Sequence, residues 1–476
     1  MRLPSVPTRS APWWWLPVFL AVAFLLFWPV LGLSAFSDDH SALWNAGVRG
    51  IPWREGFFRP LSDLSFRLGH HLWGTAVEGH RAFNVVVHGV NAFLLSVLMT
   101  SWAGRTAGLL SALLFLVYPF HQESIVWLVG RESALGTMAV LLGLVIGGAD
   151  LRRPLKLGLM AATMLLGALT YESAVLLLPL ALLVAWSGQV RGWPGVPPLL
   201  IALGGTAVGW FLWRSGTTVG ADHDYTLALL PKDGSELVMR TLKVAGRLFL
   251  PPAANSSVQL TRGALLAGSF LTLAFAFARA ARRTAMNGKL RLLALLTVVA
   301  SGIAVAGGVS TVTSESDRYL YLPSAFLCGL VGTALSGIGQ RRLRALAALA
   351  LCTGSIVLLH QNHAHWQEAS RLTRRCLNGL PSVPDHGDLW LAGLPDAHAG
   401  AFIFRNGLPE AVDLAGGEGA RIIVVPEATQ LQDALTKGFL FRGAWRTTGP
   451  QDRAFVWRNE RFEEVPTPRN TTTSFH

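Results

Sequence analysis

The sequence is short of charge. Only 14% of its 476 residues are Asp, Glu, Lys or Arg, where a soluble domain carries about 25%. That deficit excludes an ordinary solvated globular protein. Acid is scarcer than base, with 28 Asp and Glu against 40 Lys and Arg and a net charge of +12. The excess of base does not indicate nucleic acid, because the basic residues sit in short clusters between apolar runs, the pattern of cytoplasmic loops. Cysteine is nearly absent. Cys328 and Cys352 lie in apolar runs and Cys376 lies beyond them. Their spacing gives neither a metal site nor a disulfide framework. No internal repeat is visible. What is abundant is apolar: 51% of residues are hydrophobic and the mean hydropathy is +0.42.

A spanning helix needs roughly 20 apolar residues, within a range of about 17–25. Eleven runs approach or reach that length: 13–33, 81–100, 104–118, 133–149, 155–170, 174–187, 196–213, 262–279, 290–309, 320–338 and 343–360. The first is longer than a signal peptide's apolar region and reads as a retained helix. The connecting loops divide into two sets. One set carries Arg2, Arg9, Arg105, Arg152, Arg153, Lys156, Arg191, Arg279, Arg282, Arg283, Lys289, Arg291, Arg341, Arg342 and Arg344 with almost no acid. The positive-inside rule makes these loops cytoplasmic, and eleven spans let them alternate correctly. The other set is then exterior: 34–80, 118–132, 171–173, 214–261, 310–320 and everything after about 361. The helical pattern Glu236 to Leu250, ended by Pro251 and Pro252, is expected to be interfacial or re-entrant.

After residue 376 the composition changes. Strand-like runs occur at Gly400 to Phe404, Ala420 to Val425 and Ala454 to Trp457, with a helical stretch from Ala428 to Gly438. The expected fold is an all-α polytopic membrane protein of about eleven helices, N-terminus inside and C-terminus outside, with a long first exterior loop. Residues 1–376 form the transmembrane domain, and 377–476 a small exterior α/β domain whose last residues, from Pro466, are disordered.

The polar residues left over gather on the exterior side. Asp38 and Asp39 follow the first span, and Arg59 lies later in the same loop. Asn84, His88 and Asn91 share one helix face by their spacing. His121 and Glu123 lead toward Arg131, Glu172 sits in a tight turn, and Arg318 precedes Tyr319 and Tyr321. Charged groups cost about 2.5–3.5 kcal/mol each at the bilayer centre. Their concentration at one rim therefore needs a cause, although capping, snorkelling and interhelical bonding account for any one of them singly.

In order, these residues resemble a known pattern. The pieces are Ser37-Asp38-Asp39, Phe58-Arg59-Pro60-Leu61, His80 through Asn91, His121-Gln122-Glu123-Ser124-Ile125-Val126-Trp127 with Gly130-Arg131, Tyr171-Glu172-Ser173-Ala174, Asp317-Arg318-Tyr319-Leu320-Tyr321-Leu322-Pro323-Ser324, and Asn362 to Trp366. The chain resembles the polyprenyl-phosphate-sugar-dependent GT-C glycosyltransferases, and within them the branch that includes the transmembrane TPR-containing O-mannosyltransferases. The resemblance runs from Trp13 to about Cys376. Phe58 stands where that branch usually has Tyr, Tyr118 and Phe120 replace the commoner His and Val around Pro119, and Tyr171 replaces a usual Lys. The TPR array has no counterpart here.

The resemblance implies a membrane glycosyltransferase that moves one sugar from a polyprenyl-monophosphate carrier to an exterior acceptor on a protein, glycan or lipid. It assigns the base to Asp38, with Asp39 beside it. The acceptor hydroxyl needs that base and the departing phosphate needs positive charge. Arg318, Arg59 and Arg131 suit the phosphate, since arginine offers a permanently charged fork. His121, Glu123, Glu172, Tyr319 and Tyr321 complete the headgroup site. A single base implies inversion at the anomeric carbon. No cofactor or metal is required, although Asp38, Glu123 and Glu315 are of the type that ligates a divalent ion. The implied setting is a bacterial inner membrane with the site on the periplasmic side. Alternative readings are a ligase or polymerase using a diphosphate-linked glycan, a transporter or flippase of lipid-linked sugar, and a scaffold that has lost activity. Transporters favour mid-membrane charge and repeats; here the spans are mostly free of such charge and no repeat is visible.

Overall fold

A computed structural model of the chain describes residues 11–49, 58–190, 192–217, 231–252 and 284–467. Helices dominate, and ten of the eleven apolar runs fall on them. The remaining run, 262–279, lies outside the described residues, as does the tail from 468. Among the described residues six helices are long and apolar enough to cross a membrane: Val77–Ala103, Arg131–Gly148, Val196–Gly216, Asn287–Gly307, Asp317–Ser336 and Arg341–Asn378. Others are shorter. Arg105–Leu116 has 12 residues and Leu177–Ser187 has 11; at 1.5 Å per residue each rises under about 20 Å, less than the ~30 Å of hydrocarbon. The first run is α-helical only over Trp15–Phe27 and tightens to a 3-10 turn over Trp28–Val30, where Pro29 removes a backbone donor.

The chain divides into two compact units. The first is Met1–Leu31, Pro52–Ser65 and Glu78–His363; the second is Gly32–Ile51, Phe66–Val77 and Ala364–His476.

At the centre of the first unit, Tyr321–Ser336 is buried along almost its whole length and packs against Arg105–Leu116 and Thr284–Ala300. Gly332 permits that approach, because a Cβ there would run into Ser111. The Asn84, His88 and Asn91 stripe is fully buried. Asn84 Nδ2 donates to Ile125 O at 3.1 Å and Asn91 Nδ2 to Ala134 O at 2.9 Å, fastening the following segment to Val77–Ala103. Many large apolar side chains point outward, among them Leu25, Leu166, Ile201, Phe211, Leu212 and Leu346, as expected for surfaces solvated by lipid. The pattern read from Glu236 to Leu250 is the helix Gly234–Arg247, N-capped by Asp233 through Glu236 N–H at 2.8 Å. Its Leu237, Val238, Met239 and Leu242 are exposed.

The second unit holds a four-stranded sheet in the order Ile422–Val425, Leu389–Ala392, Arg453–Arg458, Arg461–Val465. The first three strands are parallel, with Leu389 opposite both Ile422 and Arg453, and the last pairs antiparallel. The central strand Leu389–Ala392 is buried on both faces, so it lacks the polar alternation by which strands are recognised. Trp390, Ile423, Val425, Leu431, Leu435 and Val456 form the core on one face. Trp390 Nε1 donates to Asp452 Oδ2 at 2.8 Å. The strands expected at Ala420 to Val425 and Ala454 to Trp457 are present, and the helical stretch becomes Leu431–Lys437 after a 3-10 turn. The run Gly400 to Phe404 does not join the sheet. Only Ala401–Phe402 is extended, paired with Ala397–His398 in a short ribbon, because Ile403 and Phe404 turn to donate to Asp396 O and Pro395 O.

Candidate functional site

In the first unit two arginines are held by carboxylates, and one of them, Arg318, lines a cleft. Arg59 lies just before Pro60–Trp73, where Pro60 opens the helix. Its Nε donates to Glu172 Oε1 at 3.2 Å and its Nη2 to Glu172 Oε2 at 3.0 Å. Its Nη1 donates to Glu132, whose other oxygen accepts from Ser62 Oγ at 2.8 Å. The Tyr171 ring lies 4.8 Å from this guanidinium. Glu172 also meets Arg214 Nη1 at 3.3 Å.

Arg318 sits on the 3-10 turn Asp317–Leu320, which follows Ser316 at φ 72°. Its Nη1 donates to Glu123 Oε1, and its backbone N–H donates to Glu123 Oε2 at 3.1 Å. The guanidinium also covers the rings of Tyr319, at 4.8 Å, and Trp127, at 5.4 Å. The Glu123 side chain is 1% exposed and that of Arg318 24% exposed, so the pair presents its cation outward. Burial pushes the Glu123 carboxyl up, against the opposing pull of Arg318. Beside Arg318, Asp317 and Arg247 form an ion pair whose side chains are both 2% exposed. Arg247 Nε also donates to Ser310 O at 2.9 Å. That pair ties the amphipathic helix Gly234–Arg247 to the turn carrying Arg318.

The cleft itself is lined by Tyr171, Ser173, Arg318 and Tyr319 and walled by Leu176, Ile303 and Leu322. The cleft is small, about 10 Å³, and sets the positive charge of Arg318 at a polar edge beside an aliphatic wall.

Other residues expected at the site lie deeper. Tyr321 OH is 2.8 Å from His88 Nδ1 and accepts from Asn91 Nδ2 at 3.3 Å. His121 is fully buried, 2.8 Å from Ser324 Oγ, and burial, aided by His88, holds its imidazole well below the ordinary range. Arg131 is fully buried too, donating to Leu128 O at 3.1 Å and His80 O at 3.2 Å. These three tie segments of the first unit together behind the cleft.

Asp38 and Asp39 belong to the second unit. They open the helix Asp38–Trp44, with acidic side chains in its first turn as the helix dipole favours. Consecutive residues on a helix differ by about 100°, so the two carboxylates diverge. Asp39 is fully buried and its Oδ2 accepts from Phe36 N–H at 3.1 Å. Asp38 is half-buried and its Oδ1 accepts from Asn406 Nδ2 at 3.0 Å. Among the described residues no group of three or more His, Cys, Asp or Glu is arranged to hold a metal ion.

Sequence reasoning named Arg59, Glu123, Glu172, Arg318 and Tyr319, which the structure brings to the cleft and its supports. It missed Glu132, Tyr171, Arg214, Arg247 and Asn406 as site residues. Arg214 and Arg247 end helical patterns, and Arg59 and Glu172 are 113 residues apart; no local spacing joins them.

No family model matches the chain. Its fold is similar to that of ArnT from Cupriavidus metallidurans bound to undecaprenyl phosphate, with a TM-score of 0.54, 14% identity and coverage of 94% of this chain and 93% of that one. It is also similar to the Archaeoglobus fulgidus oligosaccharyltransferase tethered to an acceptor peptide, with a TM-score of 0.51, 13% identity and coverage of 89% and 65%. The chain thus has the GT-C fold of these membrane proteins. In sequence it is similar to the protein O-mannosyl-transferase Tmtc1 of Drosophila melanogaster, 31% identical over 142 residues, 26% of this chain and 16% of the relative. The resemblance to the TPR-containing O-mannosyltransferase branch is thereby borne out, over a stretch that spans less than a fifth of that relative's length.

Proposed function

We propose that the chain is a membrane glycosyltransferase that moves one sugar from a polyprenyl-monophosphate carrier to an acceptor hydroxyl. The observation that carries this reading is the cleft at Arg318: a guanidinium backed by a buried carboxylate, beside tyrosines and an aliphatic wall. There Arg318 offers positive charge to a lipid phosphate, with an apolar wall beside it. The likeness to solved and curated glycosyltransferases supports the same class.

In the proposed reaction the acceptor oxygen attacks the anomeric carbon and forms the new glycosidic bond. The bond from that carbon to the phosphate oxygen breaks, and polyprenyl phosphate leaves. Asp38 takes the acceptor's proton, and Arg318 with Arg59 offsets the charge gathering on the phosphate. Glu123, Glu132 and Glu172 hold these arginines in place, while Asp39 shapes the turn that presents Asp38. Attack opposite the leaving group inverts the anomeric centre. The step as written needs no metal ion. We place eleven spans between a cytoplasmic N-terminus and an exterior C-terminus, with the reaction at the periplasmic face of a bacterial inner membrane. The acceptor is a protein, glycan or lipid.

The test is sugar transfer in vesicles supplied with a panel of polyprenyl-monophosphate and polyprenyl-diphosphate sugars. Wild type is expected to release polyprenyl phosphate from one monophosphate donor, and Asp38→Asn to fail while inserting normally. Turnover of diphosphate donors alone would make the protein a glycan ligase. Movement of lipid-linked sugar across the vesicle without transfer would make it a transporter.

A further inference from the structure

The base-bearing turn is not held by its own chain neighbours alone. Residues 403–407, more than 360 positions away in sequence, close around it within the second unit. Ser37 N–H donates to Ile403 O at 2.8 Å, and Ser37 Oγ accepts from Asn406 N–H at 3.2 Å. These bonds hold Ser37 at φ 46°, ψ −118°, a conformation an L residue adopts only when its surroundings impose it. Gly407 lies directly on Ser37: at φ 85° it favours glycine, and any Cβ there would collide with Ser37 O. The His40 ring stacks on Phe404, 5.9 Å apart at 17°. The Asn406 side chain then reaches Asp38, Nδ2 to Oδ1, at 3.0 Å.

The 403–407 segment is itself braced. Ile403 and Phe404 donate to Asp396 O and Pro395 O, and Arg405 grips the Asp396 carboxylate with bonds of 2.9 and 2.7 Å. Leu408–Leu414, which follows Gly407, packs against Asp38–Trp44. An amide delivered by so constrained a loop fixes the direction of the carboxylate that it meets. It also favours the ionised form, because a donated hydrogen bond stabilises the anion. Asp38 and Asn406 both remain accessible, as a group that must meet an acceptor has to be.

We propose that Asn406 is a positioning residue for Asp38, and that the C-terminal α/β domain thereby sets the orientation of the base. This rests on the reading of Asp38 as the base. The domain's first task is then internal: it orients the group that takes the acceptor's proton.

The experiment uses the full chain in vesicles, with Asn406→Ala, Asn406→Asp and Asn406→Gln beside Asp38→Asn. With the donor that wild type turns over, Asn406→Ala is expected to lower kcat about ten- to a hundredfold with the donor KM within about twofold, and to move the acidic limb of the kcat profile up by about one to two pH units. Asn406→Asp sets a second carboxylate against Asp38 and moves the limb at least as far. Asn406→Gln, which keeps the amide, recovers part of the rate. A merely structural role would reduce the amount of folded protein and leave the limb where it was; unchanged limbs in both variants overturn the proposal. If Asp38→Asn is dead while the Asn406 variants match wild type, the positioning role alone fails. If Asp38→Asn transfers at full rate, the base assignment fails first. Thermal unfolding supplies a readout independent of turnover. The loss in Tm of Asn406→Ala with Asp38→Asn should be smaller than the sum of the single losses, and simple additivity would remove the contact from consideration.

Discussion

Arg59 and Glu172 meet fork to fork, with Nε to Oε1 at 3.2 Å and Nη2 to Oε2 at 3.0 Å, while the ring of the neighbouring Tyr171 lies 4.8 Å from the guanidinium. Tyr171 stands where the resembled branch usually has lysine. In place of the ammonium that the resemblance implies, the site has an aromatic platform, and Arg59 and Arg214 carry the positive charge around Glu172. Tyr171→Phe keeps the platform and is expected to transfer within about threefold of wild type. Tyr171→Ala removes it and should raise the donor KM about two- to thirtyfold, the range of a cation–π contact. Donor saturation curves in vesicles check both.

Arg318→Ala is expected to lower kcat by about 10²–10³-fold, the scale of losing one donor to developing charge. Arg318→Lys should recover only a small part, because an ammonium cannot contact Glu123 and a phosphate with one planar fork. A lysine variant at full rate would show that charge alone suffices. Single-turnover measurements with the labelled donor distinguish the two.

The buried pair Arg247–Asp317 anchors the amphipathic helix to the Arg318 turn. Breaking it on one side, in Arg247→Leu, should destabilise the protein by about 3–5 kcal/mol, since Asp317 is left buried without its partner. Arg247→Leu with Asp317→Leu should restore most of that loss. Thermal unfolding in detergent tests it, and a double variant no better than the single would refute the pairing.

His40 is buried against Phe404, and burial lowers its imidazole to about 4. In the unfolded chain it titrates near 6.5. The folded protein therefore binds fewer protons than the unfolded one between these values. The stability that neutral His40 permits is complete above pH ~6.5, declines as pH falls toward ~4 and levels off below. The loss is on the order of 3 kcal/mol. Unfolding temperatures measured from pH 7.5 to 4 should fall more steeply for wild type than for His40→Phe.

Transfer is expected to persist at full rate after exhaustive chelation with EDTA, since Arg318 and Arg59 supply the charge that a divalent ion would otherwise bring. Loss of activity that returns with one added cation would put a metal into the reaction.

The sequence made the helices legible because each is a long apolar run, and positions within a run, such as the Asn84, His88 and Asn91 stripe, are fixed by period alone. It also picked out Arg318 and Glu123, since ionisable groups at a membrane rim are few. What it could not supply is partnership across distance. Nothing near Arg59 in sequence points to Glu132 or Glu172. Arg247 ends the helix Gly234–Arg247, and its guanidinium turns inward to Asp317. Leu389–Ala392 escaped notice because a strand covered on both sides has no alternation. Asn406 lies in a loop whose composition says nothing of its neighbours, and only the folded chain brings it to Asp38.

The 369-residue separation between Ser37 and Asn406 also sets a schedule. At 5–20 residues per second, a ribosome takes roughly 20–70 s to travel from one to the other. Through that interval the growing chain carries its acidic turn without the loop that shapes it. A chain cut short before residue 403 would have its spans and its arginines, but Ser37 would lack Ile403 and Asp38 would lack Asn406. On the proposed role of Asp38, it is the synthesis of residues 403–407, rather than insertion of the last helix, that completes the setting of the base.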